Sequence, residues 1–211
     1  RYGSSAKSQA KITYGPGFAT LKYKGQTYKV ANKNITGRHN FLNLITTLFI
    51  AASFFPSKKK QLEKAASEFV PTKNRSQWIE VDKRHIYLDA YNANPSSMKA
   101  ALEGFKDGLT EKKLTPKDSY VVLGDMNELG KNGPSYHEEI GRFLKSLGFK
   151  NVCFVGRFSQ DYIKGYGEGA HSAASSAEFK SEYRSKILPK FAYHFVKGSR
   201  SLQLESLFDI T

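Results

Sequence analysis

The sequence predicts an α/β protein: a Rossmann-like, mainly parallel sheet in its C-terminal part, preceded by a smaller α/β segment of β-hairpin and helices. Three observations carry this prediction. Beyond residue 77, short apolar runs alternate with amphipathic stretches, an order that right-handed crossovers convert into a parallel sheet covered on both faces. Between residues 10 and 31, polar and apolar positions alternate with period two around glycine turns. Between residues 70 and 77, the polar, helix-breaking stretch VPTKNRSQ coincides with an abrupt change in charge density.

In chain order, Ile12, Tyr14, Leu21, Tyr23, Tyr28 and Val30 mark two or three strands turning at GPG (15–17) and KGQ (24–26). His39 to Phe55 reads as a buried helix. Its apolar core, Phe41 to Phe55, is 15 residues long and interrupted by Asn43, Thr46, Thr47 and Ser53, short of the ~20 that a membrane span needs. No membrane insertion is expected. A second helix runs from Ser57 to Val70, with Leu62, Ala65, Ala66 and Phe69 at i, i+3, i+4 and i+7, and Pro71 stops it. The domain boundary therefore falls between residues 1–76 and 77–211. Beyond it the spacing predicts strands at 85–89, 120–124, 151–155 and 191–196. Helices are expected at 97–109, 135–147 and near 176–188, with a terminal helix from 201. Met98, Ala101, Leu102, Phe105 and Leu109 share one helical face, as do Tyr136, Ile140, Phe143, Leu144 and Leu147.

The 211 residues carry a net charge of +14, with 39% apolar and 13% aromatic residues, enough for a core and against wholesale disorder. The charge is unevenly spread: residues 1–75 hold +12 and residues 76–211 only +2. The basic segment favours an anionic partner, whether nucleic acid, nucleotide or phosphorylated substrate. A basic nucleic-acid-binding module is one such reading, but it leaves unexplained why the polar motifs stand at strand ends of the nearly neutral part, so no nucleic acid partner is expected. A single cysteine, Cys153, excludes an internal disulfide and a multi-cysteine zinc site and fits a cytoplasmic protein. Nothing resembling a secretory leader opens the sequence, and the five histidines show no paired metal-ligand spacing.

In parallel α/β sheets, ligands gather at the carboxyl ends of the strands. LDAYNANPSS, LGDMNELG, VGR and VKGSRS all fall there. Asn92 and Asn94 fit turn chemistry, and Ser96 or Ser97 a helix cap. Asp89 at its strand end has the position from which a carboxylate holds ribose hydroxyls. Asp125 and Glu128 read as caps of the next element. Lys197, Ser199 and Arg200 beside Gly198 form a plausible carboxylate or phosphate clamp. Asn40 and Asn43 stand a turn apart at a helix start, where N–H groups are free. GYGEG (165–169) reads as a flexible turn, and no P-loop signature occurs.

Taken in order, GRHNFLN (37–43), the Pro71–Arg75 junction, LDAYNANPSSM (88–98), VLGDMNELG (122–130) with His137, FVG (154–156) and FVKGSRS (195–201) resemble the Mur ligase family. YNANP together with KGSR is specific to the branch that adds D-alanyl-D-alanine (D-Ala-D-Ala) to UDP-N-acetylmuramoyl-tripeptide. The resemblance implies a fragment: the end of a central ATP-binding domain over 1–76 and a C-terminal Rossmann-like domain over 77–211. ATP and Mg2+ are the implied cofactors, with the P-loop and magnesium ligands expected upstream. The implied chemistry phosphorylates the tripeptide carboxylate to an acyl phosphate, which the dipeptide amine then attacks. The resemblance places Asn43 at the adenine, Arg75 at the phosphates and Asp89 at the ribose. Tyr91, Asn92 and Asn94 would line the cleft, and Lys197, Ser199 and Arg200 would hold the dipeptide carboxylate. It further implies a cytoplasmic monomer, inactive as this fragment alone. A sister ligase with another amino acid acceptor is the alternative.

Overall fold

The computed structural model describes residues 2–3, 10–15, 17–35 and 37–208, apart from the side chains of residues 2, 3 and 39. Pro16 of the GPG turn and the His39 side chain lie outside this set. The chain divides into two compact units, Arg1–Pro71 and Thr72–Thr211.

In the first unit, β1 (Tyr2–Gly3) runs parallel to β2 (Ala10–Gly15), and β2, β3 (Phe18–Tyr23) and β4 (Gln26–Ala31) form an antiparallel meander. Period-two alternation turns Ala10, Ile12, Ala19, Leu21, Tyr28 and Val30 to one face. Against that face lies α1 (Arg38–Phe54), through Phe41, Ile45, Leu48 and Ala52. The expected wholly buried helix is thus corrected to a one-sided one, since Leu42, Ile50 and Phe54 on its other side are exposed. The second helix is also shorter than expected. α2 spans Lys59–Glu68, and its C-terminal carbonyls are captured by Asn32, whose Nδ2 donates to Ala66 O and Phe69 O. Phe69 is extended beyond the helix and half-exposed, and Ala66 is the buried residue of the helix.

In the second unit, β5 (Gln77–Val81) pairs antiparallel with β6 (Arg84–Asp89). Then come α3 (Pro95–Glu111), β7 (Ser119–Gly124), α4 (Gly133–Ser146), β8 (Asn151–Val155), α5 (Ser159–Tyr166), β9 (His171–Ala173), α6 (Ser176–Glu182) and β10 (Tyr193–Lys197). The sheet order is β5-β6-β10-β7-β8-β9, with every pair after β5–β6 parallel. The predicted mainly parallel sheet is present. β5, α5 and β9 were not foreseen. The expected helix 176–188 is α6 followed by a π turn, Tyr183–Ile187, and a 3₁₀ turn from Leu188. The expected terminal helix is two 3₁₀ turns, Arg200–Leu202 and Leu204–Phe208.

Two cores flank the sheet. Met98, Leu102, Phe105, Ile140, Leu144, Tyr162 and Tyr166 bring α3, α4 and α5 to one face. Phe179, Tyr183, Ile187, Leu204, Leu207 and Phe208 bring α6 and the terminal turns to the other. The chain therefore leaves β6 and β7 toward one face and leaves β10, which lies between them, toward the other. At such a reversal, at the carboxyl ends of the strands, open α/β sheets form the crevice in which they bind ligands.

Candidate functional site

Two glycines let the loops close on this crevice. A Cβ on Gly198 would lie 2.9 Å from the Cα of Gly124, and a Cβ on Gly124 would meet Leu202 at 2.5 Å. The backbones after β10 and at the end of β7 touch where side chains are absent. Ser199 is then fixed from both sides: its N–H donates to Asp125 O at 2.9 Å and its Oγ accepts from Asn127 N at 2.9 Å.

At the other flank of β10, Lys197 and Asp89 are register partners on neighbouring parallel strands. Lys197 Nζ lies 2.5 Å from Asp89 Oδ2 and 3.0 Å from Asn92 O, with its side chain 2% exposed. Asp89 Oδ1 accepts the Ser76 N–H at 3.2 Å. That bond anchors the junction loop, in which Asn74 and Ser76 both adopt positive φ (61° and 47°), a conformation uncommon for non-glycine residues. Between them stands Arg75, exposed, its guanidinium 3.8 Å above the centroid of the Tyr91 ring. Among the described residues no carboxylate pairs with Arg75. The stack uses the guanidinium face and leaves its N–H edge for a carboxylate or phosphate.

The remaining residues of the predicted site are more fully engaged. Asn94 is the N-cap of α3: its Oδ1 accepts from Ser97 N at 2.9 Å, and Ser97 Oγ accepts from Asn94 N, completing a capping box. The expected Ser96 or Ser97 cap is corrected to Asn94, whose own extended backbone (φ −145°, ψ 165°) puts its carboxamide over the free N–H groups. Asn92 Oδ1 accepts from Ala93 N at 2.9 Å. Arg200 is paired with Glu205, and five donors leave it capacity for a further acceptor. The expectation that Lys197 clamps a carboxylate meets a different geometry, because its ammonium is buried against Asp89 and Asn92.

Asp125 is 5% exposed, and its two oxygens accept Phe158 N at 3.0 Å and Arg157 N at 3.1 Å. It therefore closes the loop after β8, a correction to the expectation that it caps the next element. Gly156, at φ 117°, is required beneath it, since a Cβ there would stand 2.5 Å from Asp125 Oδ2. His137 is fully buried. Its Nε2 accepts from Met126 N at 2.9 Å, so Nδ1–H donates to Gly133 O, and burial lowers its pKa. His194 has the opposite tautomer: Nδ1 accepts from the Tyr183 hydroxyl and Nε2–H donates to Phe191 O, while burial pushes its pKa down to about 4. Burial raises the Cys153 thiol to about 12, so it is not a reactive thiol.

In the first unit, Asn43 is exposed in the second turn of α1. The expected Asn cap there is Gly37 instead, at φ 84° and with no side-chain bond. GYGEG is not a loop throughout: Gly165 lies in α5 against the α4 backbone, and Gly167 at φ 86° ends the helix. Sequence reasoning missed Ser76 and Asn127, which act through backbone N–H groups on Asp89 and Ser199, and Glu205, whose carboxylate takes Arg200 five residues before it. Among the described residues no group of three His, Cys, Asp or Glu side chains is placed to hold a metal, and no helix is long and apolar enough to cross a membrane.

Residues 74–193, which span β5 to β9 and the loops after β6 and β7 but stop at the start of β10, match the family model for the Mur ligase, glutamate ligase domain. The chain belongs to the Mur ligase family. It is 29% identical over 201 residues to the UDP-N-acetylmuramoyl-tripeptide--D-alanyl-D-alanine ligase of Buchnera aphidicola subsp. Baizongia pistaciae, covering 90% of this chain and 42% of that protein. MurF from Acinetobacter baumannii superposes with a TM-score of 0.77 at 23% identity, over 98% of this chain and 45% of that one. MurF ligase from Thermotoga maritima in complex with ADP gives 0.74 at 17% identity, over 98% and 46%. At such identities the structural likeness concerns the Mur ligase fold. The chain spans less than half the length of the curated relatives it matches.

Proposed function

We propose that this chain is part of an ATP-dependent amide ligase that adds D-Ala-D-Ala to UDP-N-acetylmuramoyl-tripeptide in peptidoglycan precursor synthesis. In this reading residues 1–76 are the C-terminal part of an ATP-binding domain and 77–211 are the Rossmann-like domain that receives the dipeptide. The observation that carries it is the presence, at the strand ends beside β10, of Arg75, stacked on Tyr91 and without an ion pair among the described residues, and of Asp89, held by Lys197 and Ser76 N with acceptor capacity left.

The residues present fit a nucleotide. Arg75 offers parallel N–H donors suited to phosphate oxygens. Asp89 has two of its roughly four acceptor positions filled and two left for sugar hydroxyls. Asn43, exposed on α1, is assigned to the adenine. When bound, ATP supplies the phosphoryl group that activates the tripeptide carboxylate as an acyl phosphate for the dipeptide amine. Tyr91 holds Arg75 in plane, and Asn92 and Asn94 fix the loop that carries Tyr91. Ser199 and the free donors of Arg200 face the dipeptide carboxylate. No magnesium ligands are assigned to these residues, and no step is routed through the ion. The buried thiol of Cys153 fits a cytoplasmic protein, read here as a monomer.

ADP release by the full-length protein, measured with UDP-N-acetylmuramoyl-tripeptide and D-Ala-D-Ala, tests this reading. Release is expected only when both substrates are present. Release driven by another amino acid, with D-Ala-D-Ala inert, would replace it with the reading of a sister ligase.

A further inference from the structure

Lys197 is the most buried cation of the crevice, and its geometry differs from that of a ligand-binding lysine. Its ammonium has two protein acceptors, one a carboxylate, and its side chain is 2% exposed. To reach a ligand in solvent it would strand Asp89 and the Asn92 carbonyl, and breaking a buried pair is costly. The two acceptors lie on the strand end and on the loop beyond it. Gly198 N also donates to Asp89 O at 3.4 Å, so the end of β10 grips the end of β6 through backbone and side chain together. Through Asn92 the same ammonium fixes the loop that presents Tyr91 beneath Arg75.

We infer that Lys197 is a positioning residue for the nucleotide: it orients Asp89 so that the carboxylate's remaining lone pairs face a sugar hydroxyl, and it does not hold the dipeptide carboxylate. This inference rests on the ligase reading and deepens it. It moves Lys197 from the acceptor side of the crevice to the nucleotide side and leaves Arg200 and Ser199 as the dipeptide contacts from that loop.

The test measures binding of ATP and 2′,3′-dideoxy-ATP by calorimetry in the full-length protein, together with the KM values for ATP and D-Ala-D-Ala. The wild type is expected to prefer ATP over the dideoxy nucleotide at least tenfold. Lys197→Met is expected to lose that preference and raise the KM for ATP at least tenfold, while the KM for the dipeptide moves less than threefold. Should Lys197→Met fail to fold, the double variant Asp89→Leu/Lys197→Met strands no buried charge, and an unchanged dipeptide KM there supports the inference. A tenfold rise in dipeptide KM in either variant overturns it, as does a sugar preference retained by Lys197→Met or missing from the wild type. A wild type that binds neither nucleotide defeats the ligase reading itself, a result distinct from the others.

Discussion

Two aspartates flank β10 at the same edge of the same sheet, and their surroundings differ. Asp125, after β7, gives both oxygens to the N–H groups of Arg157 and Phe158. Asp89, at the end of β6, receives one ammonium and one N–H and keeps acceptor capacity toward the crevice. A carboxylate at a strand end is therefore not by itself a binding group. What separates the two is whether the fold uses up their lone pairs. Asp125 closes a loop, whereas Asp89 is held in place with lone pairs to spare.

The largest expected effect breaks the structural member of the pair. Asp125→Ala leaves two N–H groups without an acceptor in a partly buried site and is expected to cost about 3 kcal/mol of stability. Asp125→Asn should recover roughly half of that cost, because one oxygen still accepts. Chemical denaturation of both variants measures this. A loss below about 1 kcal/mol for Asp125→Ala would show that the loop does not depend on the carboxylate.

Acid gives a second handle on the same framework, since His194 sits on β10 itself. Its folded pKa of about 4 lies below the ordinary 6.5. The unfolded chain therefore binds the proton first, and stability present above pH 6.5 is lost as pH falls from 6.5 to 4. The integrated loss is about 3 kcal/mol. His137, lowered in the same direction by burial, adds to it. Melting temperature against pH in wild type and His194→Gln should show a shallower slope for the variant over that window. Equal slopes would remove His194 from the account.

Much of this framework was legible in the sequence. The strands at 85–89, 120–124 and 151–155 are built on short apolar runs, Ile86–Leu88, Tyr120–Leu123 and Val152–Val155, the pattern of strands buried on both faces. Helices α3 and α4 have full amphipathic stripes. β9 escaped notice because three residues, His171–Ala173, carry no periodicity, and α5 because its eight residues include Gly165. That glycine is required: a Cβ would stand 1.9 Å from the Glu138 carbonyl on α4. The strand-end positions of Asp89 and Lys197 were readable, but their pairing was not. It joins residues 108 apart in sequence and depends on β10 inserting between β6 and β7, which no local pattern encodes. The contrast between Asp89 and Asp125 was invisible for the same reason, since Arg157 and Phe158 reach Asp125 from a different crossover.

The functional side of the comparison is sharpened by Arg75. It is exposed and makes no ion pair among the described residues, so Arg75→Ala should cost no more stability than the about 0.5–1 kcal/mol of its stack on Tyr91. If Arg75 holds a phosphate as proposed, turnover of the full-length protein should nevertheless fall about 100-fold. Unchanged turnover would remove Arg75 from the site.

The smallest expected effect concerns Tyr91, and it separates a ring from a hydroxyl. Tyr91 is 45% exposed and makes its contact with Arg75 through the ring face. Exposed cation–π contacts of this kind contribute modestly, about 0.5–1 kcal/mol. Tyr91→Ala releases Arg75 to sample other rotamers and, on the proposed nucleotide site, should weaken nucleotide affinity about threefold to fivefold, with stability lowered by no more than the contact's about 0.5–1 kcal/mol. Tyr91→Phe keeps the ring and should bind as the wild type does. If Phe is as weak as Ala, the hydroxyl carries the effect and Tyr91 touches ligand directly. If both variants match the wild type, Arg75 is aimed by its backbone alone, through the left-handed residues on either side and the Ser76–Asp89 bond. In that last case the aim of Arg75, like that of Asp89, is set at the end of β6.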